Sequence, residues 1–174
     1  ISMTMTETWA SNDYGILGTP ALNYQFGFSM DPKVRYSPNL STNRKTQRKD
    51  FRLSLRSGIK FTSQLTSSFD YNFSTSANYS TQNTGNITRS ALALGDKAIP
   101  FPNWNVQWRG LEKFKWFSKY VRSMTLSHTF AGQENKIWNE HARRIVSTQI
   151  SKNFRPLLGI NVSFKNGMNA NFQY

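Results

Sequence analysis

Cysteine is absent from the 174 residues. That excludes disulfides and thiolate metal sites, and the two histidines, His128 and His141, are too few and too far apart to nucleate a metal cluster. Acids are scarce: 9 stand against 22 Lys and Arg, a net charge of +13. This balance calls for an anionic partner such as nucleic acid, lipopolysaccharide phosphate or an acidic protein. Apolar residues are also short, at 37% of the chain, against roughly 45–50% in globular domains. A conventional packed core is undersupplied. No signal peptide is visible, and no apolar run approaches the roughly 20 residues of a spanning helix. Helical membrane spans are thereby excluded, and spanning strands are not.

What is present is rings: 13 Phe, 7 Tyr and 5 Trp. Disordered chains lack them, so an ordered fold is expected. The rings recur at every second place. In residues 22–30, Leu22, Tyr24, Phe26, Phe28 and Met30 alternate with Asn23, Gln25, Gly27 and Ser29. Phe51, Leu53, Leu55, Ile59 and Phe61 alternate with Arg52, Ser54, Arg56, Gly58 and Lys60, and after a short link the pattern resumes through Phe69, Tyr71, Phe73 and Tyr79. Period two is the signature of a strand with two unlike faces. Further segments are NWNVQW, SMTLSHTF, IVSTQI and LLGINVSF, the last followed by Asn166-Gly167, which predicts a type I′ hairpin turn.

About nine antiparallel strands are expected, in one open sheet with sequential neighbours paired. Short links are expected at 62–64, 152–156 and 166–167, and long ones at 31–49, 81–102 and 131–142. One stretch, GLEKFKWFSKY, has Leu111, Phe114, Phe117 and Tyr120 at helical spacing and predicts a short amphipathic helix. The chain begins at Ile1 and stops at Tyr174 inside alternating segments, which reads as an excerpt of a longer wall.

Two architectures want such faces. A soluble sandwich or barrel turns the apolar face inward, whereas an outer-membrane barrel turns it to lipid and the polar face to a hydrated lumen. Strands of 9 or more residues, ring-rich apolar faces and Ser/Thr/Asn-rich polar faces favour the membrane barrel.

The stretches PFPNWNVQWRGLEKFKWFSKYVRSMTLSH and ISKNFRPLLGINVSFKNGMNANFQY carry a further signal. In Pro102, Asn103, Trp104, Gly110, Leu111, Tyr120 and His128, then in Pro156, Leu157, Gly159 and Asn166, the chain resembles the SprA-type outer-membrane translocon of the type IX secretion system. The resemblance implies an all-β, antiparallel up-and-down transmembrane barrel, with residues 1–174 as a single wall segment of a very large protein-conducting channel for folded cargo in secretion and gliding motility. It also implies secreted cargo, PorV-type shuttle and plug proteins, and outer-membrane lipid and lipopolysaccharide as partners. The alternatives are another transport barrel, for lipopolysaccharide or nutrients, and a soluble surface β-domain for adhesion.

On this reading Tyr24, Phe26, Phe28, Phe51, Leu53 and Leu55 face lipid, and Arg52, Arg56 and Lys60 line the lumen. The segment NRKTQRKD makes a basic loop with Arg44, Lys45, Arg48 and Lys49, suited to lipopolysaccharide phosphates. Nucleic-acid binding is disfavoured, because rings and cations occupy opposite faces and cannot stack and neutralise together. His128 reads as an interfacial histidine, and Asp70, Glu112, Glu134 and Glu140 show no acid–base pairing. No enzyme, cofactor or metal is expected. By strand parity the rim holding 62–64, 111–120 and 152–156 is expected to be periplasmic.

Overall fold

The computed structural model describes residues 1–38, 45–80, 82–95, 97–140 and 144–174. Arg44 of the basic loop and His141 lie outside the described residues. Twelve strands follow in order: β1 (Ser2–Asn12), β2 (Ile16–Leu17), β3 (Arg35–Tyr36), β4 (Thr46–Lys60), β5 (Leu65–Tyr79), β6 (Thr84–Leu94), β7 (Lys97–Pro100), β8 (Asn103–Arg109), β9 (Val121–Asn139), β10 (Arg144–Asn153), β11 (Gly159–Phe164) and β12 (Asn169–Gln173). A one-turn helix, α1 (Leu22–Gln25), and a 3-10 turn, Leu111–Lys113, complete the elements. The protein is all-β and every ladder is antiparallel.

The expected open sheet of nine strands is corrected by the pairing. Ten strands form one sheet, and four of them, β5, β6, β9 and β8, close a small ring. The register explains it. Along one edge of β5, Phe73 pairs with Arg89 of β6 and Asp70 pairs with Asn103 of β8. Along β9, Ser90 pairs with Gln133 and Trp104 pairs with Phe130. β6 and β8 therefore lie end to end in one slot between β5 and β9, with residues 91–101 looped out as a hairpin of β7 against the end of β6. On the far edge of β9, β10 and β11 share a slot in the same way, β10 against Ala131–Asn139 and β11 against Val121–Ser127. Counted by slots, the sheet runs β1, β4, β5, β6 with β8, β9, β10 with β11, and β12. From β4 onward this is an up-and-down order. Among the described residues, β1 is hydrogen-bonded only to β4 and β12 only to β11, so both outer edges are open.

Polar side chains close the ladder where the slot is interrupted. The Asn72 N–H donates to Ser90 Oγ at 3.0 Å, and the Gly132 N–H donates to Asn103 Oδ1 at 2.8 Å. Gly132 is required there, since a Cβ would run into the Ala91 carbonyl oxygen and the Phe130 ring. The hairpin thus leaves the sheet on the side of Gly132 where Phe130 lies, and Phe101 at its base packs edge-on against Trp104, ring centroids 5.8 Å apart.

Other sequence expectations change. Residues 22–30 form no strand: Leu22–Gln25 make α1, and the chain turns through Gly27 at φ +75°. Gly15, Gly18, Pro20 and Gly27 punctuate the segment, and among the described residues no strand pairs with it. The amphipathic helix shrinks to Leu111–Lys113, after which the chain continues as turns to Tyr120. Residues 131–139 belong to β9, and 84–94 and 97–100 are strands, so two of the three long links are not loops. The Asn166-Gly167 turn exists, but only Gly167 has positive φ, and the Phe164 N–H donates to the Met168 carbonyl. That is a three-residue loop ending in a left-handed glycine rather than a type I′ turn.

Candidate functional site: a two-faced wall

Directly paired residues lie on the same side of a sheet, so the register sorts every side chain. One face collects Met3, Met5 and Trp9 of β1, Phe51, Leu53 and Leu55 of β4, and Phe69, Tyr71 and Phe73 of β5. It continues through Ile87, Trp104, Val106 and Trp108 into Leu126, His128, Phe130 and Trp138, then Ile145, Ile150, Ile160, Val162 and Phe172. The opposite face carries Thr4, Thr6, Arg52, Ser54, Arg56, Asn72, Ser74, Thr88, Asn105, Gln107, Thr129, Asn135, Gln149, Asn161 and Asn171. Arg52, Arg56 and Lys60 share the polar face, and Phe51, Leu53 and Leu55 share the apolar one.

Neither face carries a second layer. Among the described residues, the substantial contacts between elements join hydrogen-bonded neighbours, apart from the 3-10 turn on β9 and a slight touch of β10 on β6. The buried apolar residues are accordingly few: Ala77, Ala91, Leu111, Val121 and Phe130. Met3 and Met5 are 63% and 62% exposed.

The densest part of the apolar face is a ring cluster. Trp104 stacks on Phe130 at 4.2 Å, Phe154 tilts against Phe130 at 5.1 Å, and His128 lies 6.2 Å from Trp104 and 5.9 Å from Phe154. The His128 Nδ1 is 2.7 Å from the Leu157 carbonyl oxygen. Trp104 and His128, far apart in sequence, are thus brought together with Asn103 and Pro102 at the re-entry of the chain. Gly110 takes a left-handed φ of +81° against the Gln64 side chain, Leu111 is buried, and Tyr120 is exposed.

Most charges on the apolar face are paired, while Lys152, opposite Gly132, has no salt bridge among the described residues. Glu134, only 4% exposed, accepts from Arg89 Nε at 2.6 Å and Lys136 Nζ at 3.0 Å. Glu7 pairs with Lys49 Nζ at 2.8 Å, and that ammonium sits 4.9 Å over the Trp9 ring. On the polar face Arg56 pairs with Asp70 at 3.2 Å, directly across the ladder. The basic loop is also redrawn: Arg48 and Lys49 are in β4 and point to opposite faces, and Lys45 approaches Asp13 at 4.0 Å. The Arg89–Glu134–Lys136 group escapes sequence reading because its segments read as loops; the alternation of Ile87 and Arg89 with Thr88 and Ser90 was the available signal.

Both ends of the apolar face carry rings that end in N–H or O–H groups. One rim holds Trp9, Tyr79 and Trp138; the other holds Trp108, Trp116 and Tyr120. From Trp138 to Leu126, the partner of Trp108, β9 extends roughly 40 Å at about 3.4 Å per residue, or near 29 Å of height at a tilt of about 45°. The Asn166-Gly167 turn lies on the second rim, since the Lys165 N–H and Nζ donate to the Tyr120 and Ser118 carbonyls. The link 154–158 lies within the wall, not at a rim: the Thr129 N–H donates to the Pro156 carbonyl.

Beyond the first rim, α1, β2 and β3 are held at Asp13. The carboxylate accepts from Ser11 Oγ at 2.8 Å and from the Tyr24 and Tyr36 hydroxyls at 2.9 Å each. Burial pushes the Asp13 carboxyl upward, but these donors and Lys45 outweigh it and hold the group below the usual carboxylate range. Burial, then the bond to Asp13, raises the Tyr36 hydroxyl to about 12. Phe26 and Phe28 stay exposed in this segment, off the main sheet.

A cleft of about 310 Å3 opens at the ladder break, lined on the polar face by Arg52, Ser54, Asn72, Ser74, Thr88 and Gln133. Among the described residues no group of three or more His, Cys, Asp or Glu is placed to hold a metal ion. No known protein family, curated protein or solved structure matches this chain.

Proposed function

We propose that this chain is a segment of the wall of an outer-membrane β-barrel, its apolar face toward lipid and its polar face toward a wide aqueous passage. The observation that carries the reading is a sheet one strand thick that is apolar on one side and polar on the other, with no second layer on either face and few buried apolar side chains among the described residues. In water such a sheet would leave its ring-rich face uncovered, and exposed apolar patches of that extent mark contact with a membrane or a partner. The height between the two rings of Trp and Tyr fits an apolar band of about 25 Å with flanking girdles. The base of the hairpin 91–101 agrees, since Ala91, Leu92, Ala93, Ile99, Pro100 and Phe101 are apolar, while its charged residues, Asp96 and Lys97, fall midway along its sequence.

Within that class, the likeness of the Trp104 and His128 segments to the type IX translocon favours a conduit for folded cargo. Arg52 and Lys60, which make no salt bridge among the described residues, would keep the passage hydrated and repel apolar adhesion. Three cations on the lipid face would each cost roughly 2–4 kcal/mol at mid-membrane, which assigns Arg52, Arg56 and Lys60 to the lumen. The second rim, with its tight turns at 61–64 and 165–168, is the periplasmic one. Tyr24, Phe26 and Phe28 leave the lipid-facing set, because their segment lies outside the wall.

Single Cys replacements test the faces cleanly in a chain that has no Cys. In the whole protein in its membrane, positions 52, 54 and 56 should react with a charged, impermeant thiol reagent, and 51, 53 and 55 only with a lipid-soluble one. The inverse pattern would exclude the wall reading.

A further inference from the structure

We infer that residues 113–120 form an interfacial platform that seats on the headgroups of anionic phospholipid in the leaflet at the second rim. The inference rests on the lipid-facing reading of the apolar face. Phe114, Trp116, Phe117 and Tyr120 are all exposed, and Trp116 is 89% exposed, an expensive display of rings for a segment surrounded by water.

The segment is nonetheless fixed. Leu111 and Val121 are buried at its two ends, the Phe117 and Ser118 N–H groups donate to the Phe114 carbonyl, and Lys165 Nζ donates to the Ser118 carbonyl at 2.6 Å. The rings are also continuous with the apolar face, since Phe114 packs edge-on against Trp108 with centroids 6.5 Å apart.

Charge identifies the occupant. Lys113, Lys115, Lys119 and Arg122 flank the rings in the chain, Lys119 Nζ lies 5.4 Å from the Tyr120 ring, and the single acid of the stretch, Glu112, is engaged with the Met124 N–H at 3.1 Å. Rings that dip to the headgroup level, among cations that meet lipid phosphates, are the chemistry of interfacial anchoring. A protein partner of this surface would have to be both apolar and acidic over the same few ångströms; an anionic bilayer surface is both by construction.

The test uses the whole protein with a single Cys at Trp116→Cys or Phe73→Cys, each carrying an environment-sensitive fluorophore, in nanodiscs. One set is phosphatidylcholine alone and the other contains about one-third phosphatidylglycerol. The label at 116 should shift to the blue and lose at least about tenfold of its quenching by aqueous iodide when phosphatidylglycerol is present. Lys113→Gln with Lys115→Gln and Lys119→Gln should abolish that lipid dependence. A label at 73 shielded in both discs, with 116 open to iodide in both, would overturn the platform and leave the wall reading intact. A label at 73 open to iodide would overturn the wall reading itself. A label at 116 shielded equally with and without phosphatidylglycerol would overturn the anionic headgroup as the occupant.

Discussion

Asp13 shows how much one side chain can organise beyond the wall. Its carboxylate gathers Ser11, Tyr24 and Tyr36, and through them pins α1 and β3 to the end of β1. A carboxyl held low in the folded state stabilises above its unfolded pKa, about 3.9, and that contribution disappears as pH falls through the lower folded value. For Tyr36, raised to about 12, the contribution is complete below an unfolded value of about 10 and is lost as pH rises through 12. Residues 13–38 are therefore expected to loosen below about pH 4 and again at strongly alkaline pH. Hydrogen exchange at the Ser37 N–H, which donates to the Gly15 carbonyl, reads this directly. Asp13→Asn should cost about 1–3 kcal/mol of local stability and remove the acid limb. An acid limb that survives in the variant would assign it to another group.

At the scale of elements, the interrupted slot makes a sharp expectation. β8 resumes the ladder after two skipped partners on each edge, Asn72 and Tyr71 on β5 and Gly132 and Ala131 on β9. The register on both edges shifts by the same eleven residues, so joining Ser90 to Pro102 without residues 91–101 restores a continuous strand with every later residue in place. That deletion should fold and insert, and β9 should keep its hydrogen-exchange protection. Removing one residue more or fewer shifts β8 by one place and exchanges its faces, so Trp104 and Trp108 would point to the polar side; this should abolish folding. Equal behaviour of the three deletions would refute the collinear register.

The same element shows what sequence can and cannot reveal. The alternation of residues 51–61 and 65–79 is legible, and both strands are where it places them, because their partners enforce a strict pleat. Tyr24, Phe26 and Phe28 alternate equally well, yet among the described residues no strand pairs with their backbone, and the glycines and Pro20 take the chain through turns. The end of β9 is hidden for the opposite reason. Glu134 and Lys136 occupy apolar-face positions, so the pattern fades where ion pairing, invisible in one dimension, makes them tolerable. At β8 the rings fall on even numbers after odd ones in β4 and β5, a change of parity that only the extruded hairpin explains. The Trp104–His128–Phe154 cluster is legible only once the register is known.

For the molecule as a whole, the surroundings are a component of the structure. Anything that binds the folded sheet and not the unfolded chain stabilises it in proportion to the logarithm of its concentration. Thermal unfolding should therefore move to higher temperature as detergent rises above its critical micelle concentration, and transfer to lipid nanodiscs should raise it further. An unfolding temperature indifferent to both would mean that the apolar face is covered by protein. Leu53→Arg should cost roughly 2–4 kcal/mol in lipid, whereas Ser54→Arg, one residue along, should cost little.

A wall one strand thick has no depth. In a globule, the penalty for a substitution grows with distance beneath the surface, and a single radial coordinate orders the sites. Here two coordinates replace it. In the proposed membrane setting, the parity of a residue chooses which fluid it meets, and its height along the strand decides how oily that fluid is. Leu53 and Ser54 are neighbours in the chain and share a height, yet they lie on opposite faces and in that setting would meet different solvents; Met3 and Phe172 stand at opposite ends of the sheet on the same face.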